Sequence, residues 1–208
     1  MKCRFAVLAA TLALAGAVHA EPMEDVDYVR IPAHPVAEAD KIEVIEFFHY
    51  GCGACNRFEP HLRAWLATLP ADVSFRRIPA LKKSDRIPLA RLFYALDALG
   101  QLDRLHASVF RALHDENLDL GDGAEILAWA QRNGMDAAEF ERVLISDAIA
   151  IRVQQARDAT IAYGIRVTPS LVVEGKYLTS GAMVGSLDAL VPILNGLTER
   201  VRRERAKP

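Results

Sequence analysis

The 208-residue chain predicts an α/β fold in which a helical segment interrupts a small sheet. Three observations predict it. Strand, helix and strand signals crowd into residues 42–79, amphipathic helical stripes without strand signals fill 83–146, and β-branched and turn signals return at 167–178.

The N-terminus carries Lys2 and Arg4, an apolar stretch from Phe5 to Val18 and the small-residue site Val18-His19-Ala20. That is the layout of a secretory signal peptide, read as residues 1–20. The apolar stretch falls short of the roughly 18 residues that cross a bilayer. Cys3 lies upstream of it and leaves with the signal. Losing Lys2 and Arg4 takes the formal charge from −2 to −4, and nothing in that balance points to nucleic acid. A chain that is 51% hydrophobic can bury a core without structural disulfides, so the remaining cysteines are free for chemistry.

Residues 42–49 are β-branched and aromatic and are broken by Gly51, which predicts a buried strand. Phe58, Leu62, Trp65, Leu66 and Leu69 then recur at helical spacing until Pro70, with Trp65 expected in the core. Val73 to Pro79 reads as a second strand. The three elements make a βαβ unit with parallel strands.

Over 83–146, stripes such as Leu89, Leu92, Phe93 and Leu96 are parted by Gly100, Gly121, Gly123 and Gly134, which predicts four short helices with Trp129 in their core. Asp136 and Glu139 fit a capping box. A longer helix is expected from Asp147 to Tyr163, with Gly164 as its C-cap. Val167 to Val173 reads as a strand entered through Pro169, Glu174-Gly175-Lys176 as a hairpin turn and Tyr177-Leu178 as the return strand. Ser186 to Glu204 reads as a final helix whose basic end, Arg200 to Lys207, suits the helix dipole and is expected in solvent. The organisation is thus a signal at 1–20, a sheet domain from 21–82 and 147–208, and a helical insert at 83–146.

The candidate chemistry lies at Cys52-Gly53-Ala54-Cys55, on the junction of strand and helix. A cysteine at a helix N-terminus meets unpaired backbone N–H groups and the positive dipole end, both of which favour thiolate. Cys52 is so placed and reads as the exposed nucleophile. Cys55, one turn on, can attack a mixed disulfide at Cys52 and reads as the resolving thiol. The alternatives are a structural disulfide, half of a zinc site, or a copper or zinc site that recruits His49 and His61. A zinc pair usually needs a second pair of ligands, and the chain has no cysteine after Cys55.

Pro169 opens a strand after the β-branched Thr168, a natural place for a cis bond. A cis bond there would expose the Thr168 backbone for strand-like pairing with a peptide. Glu46 stands inside an apolar strand, where a buried charge is costly. It either faces solvent, pairs with Arg76 or Arg77, or accepts the Cys55 proton.

Together, Glu46-Phe-Phe-His-Tyr-Gly-Cys-Gly-Ala-Cys55, Phe58-Glu59, the helical insert, Val167-Thr-Pro169 and the Gly175-Lys-Tyr177 hairpin resemble the bacterial periplasmic DsbA-type dithiol oxidases. The resemblance covers nearly the whole chain after the signal. It implies a thioredoxin-like fold with an inserted α-helical domain, and a Cys52–Cys55 disulfide donated to newly exported proteins in the periplasm. It also implies reoxidation by a membrane quinone-linked partner of the DsbB type, no cofactor, and Glu46 as the buried acid beneath the cysteines. A peptide-binding groove beside Cys52 is expected to involve His49, Gly53, Ala54, Thr168 and Pro169.

The chain departs from the family where Gly53-Ala54 replaces Pro-His and Thr168 replaces a valine, which predicts a weaker oxidant. Reduction or isomerisation is the rival direction. Isomerases of this kind usually need a dimerisation module, and the few residues between Glu21 and the first strand leave no room for one, so a monomer is expected. A copper carrier and an inert thioredoxin-fold scaffold are the rivals from other classes.

Overall fold

The computed structural model describes residues 21–81 and 87–207. The signal-peptide reading, Cys3 and the boundary between 82 and 83 lie outside the described residues. Five strands form one sheet: β1 (Val29–Arg30), β2 (Ile42–Phe48), β3 (Val73–Pro79), β4 (Ser170–Val173) and β5 (Tyr177–Ser180), in the order β1-β5-β4-β2-β3. The helices are α1 (Gly53–Leu66), α2 (Ile87–Ala98), α3 (Leu102–His114), α4 (Gly123–Arg132), α5 (Ala137–Leu144), α6 (Asp147–Ala162), α7 (Gly181–Val184) and α8 (Leu190–Arg205).

Both faces of the sheet are covered, which is why all seven residues of β2 are buried and its sequence reads as a continuous apolar run around two glutamates. On one face Ile42 and Val44 pack with Phe58, Leu62 and Trp65 of α1 and Leu190, Leu194 and Leu197 of α8. On the other, Ile45 and Phe47 meet the core formed by α2 to α6. β2 and β3 are parallel and joined through α1, the crossover geometry the sequence predicts. β4 runs antiparallel to β2 and hairpins into β5.

The hairpin turn needs positive φ at Glu174 and Gly175. A Cβ on Gly175 would stand 2.3 Å from the His34 carbonyl oxygen, so only glycine fits. Asp136 Oδ1 caps α5 by accepting from the Glu139 N–H at 2.8 Å. Gly164, at φ 63°, follows the C-cap of α6. Trp65 and Trp129 are both buried, and Trp65 Nε1 donates to Asn195 Oδ1 at 2.8 Å, tying α1 to α8.

Three features differ from expectation. β4 begins at Ser170 instead of Val167, since Pro169 has no N–H to give a ladder. The final helix starts at Leu190 instead of Ser186, and the short α7 precedes it, capped by Ser180 Oγ accepting from the Met183 N–H and closed at Gly185 with φ 71°. β1 is a two-residue strand too short to show a period. The basic end of α8 lies at the surface as expected, with Arg203, Arg205 and Lys207 exposed, and three of its cations also form surface pairs: Arg202 with Asp72 at 2.6 Å, Arg203 with Glu21, and Arg205 with Glu174 at 2.8 Å. Those cations pin the helix to the chain ahead of β3, to the N-terminal segment and to the hairpin.

Candidate active site

β2 ends at Phe48, and a tight turn follows in which the Cys52 N–H donates to the His49 carbonyl at 2.9 Å. A Cβ on Gly51 would lie 2.7 Å from His49 Cε1, so a larger residue there would require the His49 ring to shift. Cys52 is therefore the N-cap of α1, with extended φ and ψ of −90° and 110°. Its sulfur does the work that a serine or aspartate oxygen does at other helix starts, accepting the Cys55 N–H at 3.3 Å.

The two thiols are opposites. Cys52 is half-buried and its pKa is lowered to about 5, first by a hydrogen bond from the Cys55 side chain, then by the Thr168 side chain and the backbone N–H groups of Cys55 and Ala54, against a desolvation cost. Cys55 is buried, and burial above all drives its pKa far above the usual thiol range, with the charge of Glu46 pushing the same way. The surroundings favour the thiolate at Cys52 and the protonated thiol at Cys55.

The Thr168–Pro169 peptide bond is cis. The Thr168 carbonyl oxygen lies 3.3 Å from Cys52 Sγ, so the loop before β4 closes over the helix N-terminus. Val167 is 44% exposed beside it, while Thr168 is half-buried and Pro169 buried. Gly53, Ala54 and His49 are half-buried at the same end of the sheet. His61, the other histidine considered as a ligand, pairs with Asp188 at 3.3 Å. Among the described residues no group of three His, Cys, Asp or Glu side chains is arranged to hold a metal ion.

Glu46 does not face solvent. It is buried and accepts from Arg77 Nε at 3.0 Å, whereas Arg76 pairs with Glu43 at 2.8 Å. Burial raises the Glu46 pKa to about 7, opposed by Arg77 and assisted by the charges of Glu59 and Cys52. Arg77 is shared, since its Nη2 also donates to Glu59 Oε2 at 3.0 Å. Beyond Glu59, His106 Nε2 stands 3.5 Å from Glu59 Oε2, and His106 Nδ1 is 2.8 Å from the Tyr50 hydroxyl.

A family model described as the DSBA-like thioredoxin domain matches residues 43–191. The chain belongs to this DsbA-like family. The thiol:disulfide interchange protein DsbA of Azotobacter vinelandii is 35% identical over 204 residues, 95% of each chain. That of Bordetella parapertussis is 38% identical over 87% of this chain and 86% of its own. The crystal structure of Pseudomonas aeruginosa DsbA superposes with a TM-score of 0.83 at 32% identity, covering 87% of this chain and 95% of that one. This DsbA-like chain is a thiol-disulfide oxidoreductase with a thioredoxin-like fold.

Sequence reading left Tyr50, Glu59 and His106 of this DsbA-like site without roles. A signal was present for two of them. Cys55, Glu59 and Leu62 fall on one helical face, as do Leu102, Leu105, His106 and Val109, so each stripe carries one polar residue that burial must explain.

Proposed function

We propose that this oxidoreductase acts as a dithiol oxidase in the periplasm, reached by cleavage after Ala20, and that it donates the Cys52–Cys55 disulfide to reduced exported proteins. A substrate thiolate attacks Cys52 Sγ, the Cys52–Cys55 bond breaks, and Cys55 leaves as a thiolate that takes up a proton. A second substrate thiolate then attacks the substrate sulfur of the mixed disulfide and expels Cys52. The substrate is oxidised to its disulfide, and the pair is reduced by two electrons. Reoxidation runs the same steps backwards through a membrane quinone-linked partner of the DsbB type, with Cys55 giving up its proton as it attacks.

The observation that carries this reading is the asymmetry of the two sulfurs. A Cys52 thiolate with a pKa of about 5 is a good leaving group and stabilises the reduced form, which makes the disulfide oxidising. Glu46 supplies and accepts the Cys55 proton: with a pKa of about 7 it is divided between its two forms at neutral pH. Substrate peptide lies against His49, Gly53, Ala54, Thr168 and Pro169, the backbone of the loop offering strand-like pairing. Residues 83–146 form an insert over the sheet domain of 21–82 and 147–208, and the protein acts as a monomer.

The test is the equilibrium potential of Cys52–Cys55 in the protein lacking residues 1–20, from glutathione titration with free thiols counted by alkylation. A value above about −180 mV supports the oxidase. A value near about −270 mV sinks it in favour of a reductase.

A further inference from the structure

The helical segment reaches the redox site through one buried chain of polar groups. His106, on α3, is 4% exposed and sits among the rings of Phe48, Tyr50, Phe93 and Phe110. The charged and titratable groups around it are Glu59 and Arg63 from α1, Arg77 from β3 and the Tyr50 hydroxyl from the turn after β2. Its two nitrogens have separate tasks. Nδ1 pairs with the Tyr50 hydroxyl at 2.8 Å, whereas Nε2 is buried, lacks a well-aligned hydrogen bond and points at Glu59 Oε2 from 3.5 Å. Two turns further along α3, His114 Nε2 meets the Tyr50 carbonyl at 2.7 Å, so α3 grips the residue two before Cys52 at both its ends.

We propose that His106 is a positioning residue for thiol exchange: as a neutral imidazole with its proton on Nε2 it keeps Glu59 ionised, and so keeps Arg77 divided between Glu59 and Glu46. This inference rests on the reading of Glu46 as the acid–base group for Cys55. Burial lowers the basicity of the imidazole, which keeps it neutral, and the Glu59 carboxylate facing Nε2 favours the proton on that nitrogen, which leaves Nδ1 to accept from the Tyr50 hydroxyl. Without that N–H, Glu59 loses a partner and protonates more readily. Arg77 then turns wholly to Glu46 and holds it ionised to lower pH. Glu59 also lines a cleft of about 610 Å³ between α1 and α3, which gives the chain of groups a way to exchange protons with solvent.

The test is the pH profile of the Cys52–Cys55 potential in wild type, His106→Leu, His106→Gln and Glu46→Gln. The wild-type profile should bend near pH 7, where Glu46 titrates. His106→Leu should move that bend down by about half a pH unit or more, and His106→Gln, whose amide N–H can still reach Glu59, should restore part of the shift. A His106→Leu profile identical to wild type overturns the proposal, provided Glu46→Gln abolishes the bend. If Glu46→Gln leaves the bend in place, the acid–base reading of Glu46 is what fails. A second measurement needs no variant: ¹⁵N chemical shifts of His106 in the intact protein should show the Nε2–H tautomer throughout neutral pH. An imidazolium or the Nδ1–H tautomer overturns the proposal.

Discussion

Glu46 and Arg77 stand directly opposite one another in the β2–β3 ladder, and their side chains meet at 3.0 Å in the interior. The pairing is incomplete because Arg77 also serves Glu59, so burial outweighs attraction and leaves Glu46 with a pKa of about 7. A carboxylate raised above its ordinary 4.5 binds more protons folded than unfolded between those values, so its effect on stability worsens as pH rises through that window. Replacing Glu46 by Gln should therefore stabilise the oxidised protein at about pH 8 by up to ~3 kcal/mol and do almost nothing at about pH 4. Guanidinium unfolding at the two pH values checks it, and an equal effect at both would contradict the assignment.

That arrangement was only half legible in the sequence. The strands at 42–49 and 73–79 read clearly because their apolar runs are dense, and the helix between them read clearly from its stripe. Register was not legible, and register is what selects Arg77 over Arg76 as the partner of Glu46: the two arginines point to opposite faces of β3, one to Glu43 and one to Glu46. His106 and Tyr50 escaped for another reason, since they are 56 residues apart and meet only when α3 folds back on the turn. Period reveals faces within an element and says nothing of which faces meet.

The acidity of Cys52 depends on several donors, so no single change should abolish it. Cysteine alkylation followed against pH should give a midpoint at about 5. Cys55→Ala removes the first of the donors and leaves the backbone N–H groups, so the midpoint should rise by about one unit and stay well below that of a free thiol. A midpoint unchanged in this variant would show that the helix terminus alone sets it.

The same thiolate links stability to redox state. Its folded pKa of about 5 lies below the ordinary 9.0, so between those values the unfolded reduced chain binds more protons than the folded one. The reduced protein should gain stability relative to the oxidised protein as pH rises from 5 toward 9, and lose that advantage on acidification through the folded value. Paired thermal melts of the two forms across this range measure the difference. A constant gap would mean that Cys52 is not ionised in the folded state.

Trp65 offers a change that should alter stability alone. Its Nε1–H to Asn195 joins α1 to α8 at the end of α1 remote from Cys52. Trp65→Phe leaves the Asn195 oxygen without that donor and should cost about 1–2 kcal/mol in unfolding free energy. The Cys52 alkylation midpoint should not move. A shifted midpoint would show that the position of α1 against α8, and not only its first turn, sets the thiolate.

Thr168 tests how the loop before β4 contributes to the chemistry. Its side chain is among the groups that lower the Cys52 pKa, ranked behind the Cys55 side chain, and its carbonyl oxygen touches the sulfur at 3.3 Å. Valine keeps the branched shape and the carbonyl and deletes only the hydroxyl, so Thr168→Val isolates that one donor. The Cys52 midpoint should rise, by less than in Cys55→Ala. A less stable thiolate means a less stable reduced form, so the potential should fall in step, by about 30 mV for each pKa unit gained. If the midpoint rises while the potential stays put, the oxidised form must have lost stability by the same amount, and the hydroxyl would then be acting on the loop and not on the sulfur.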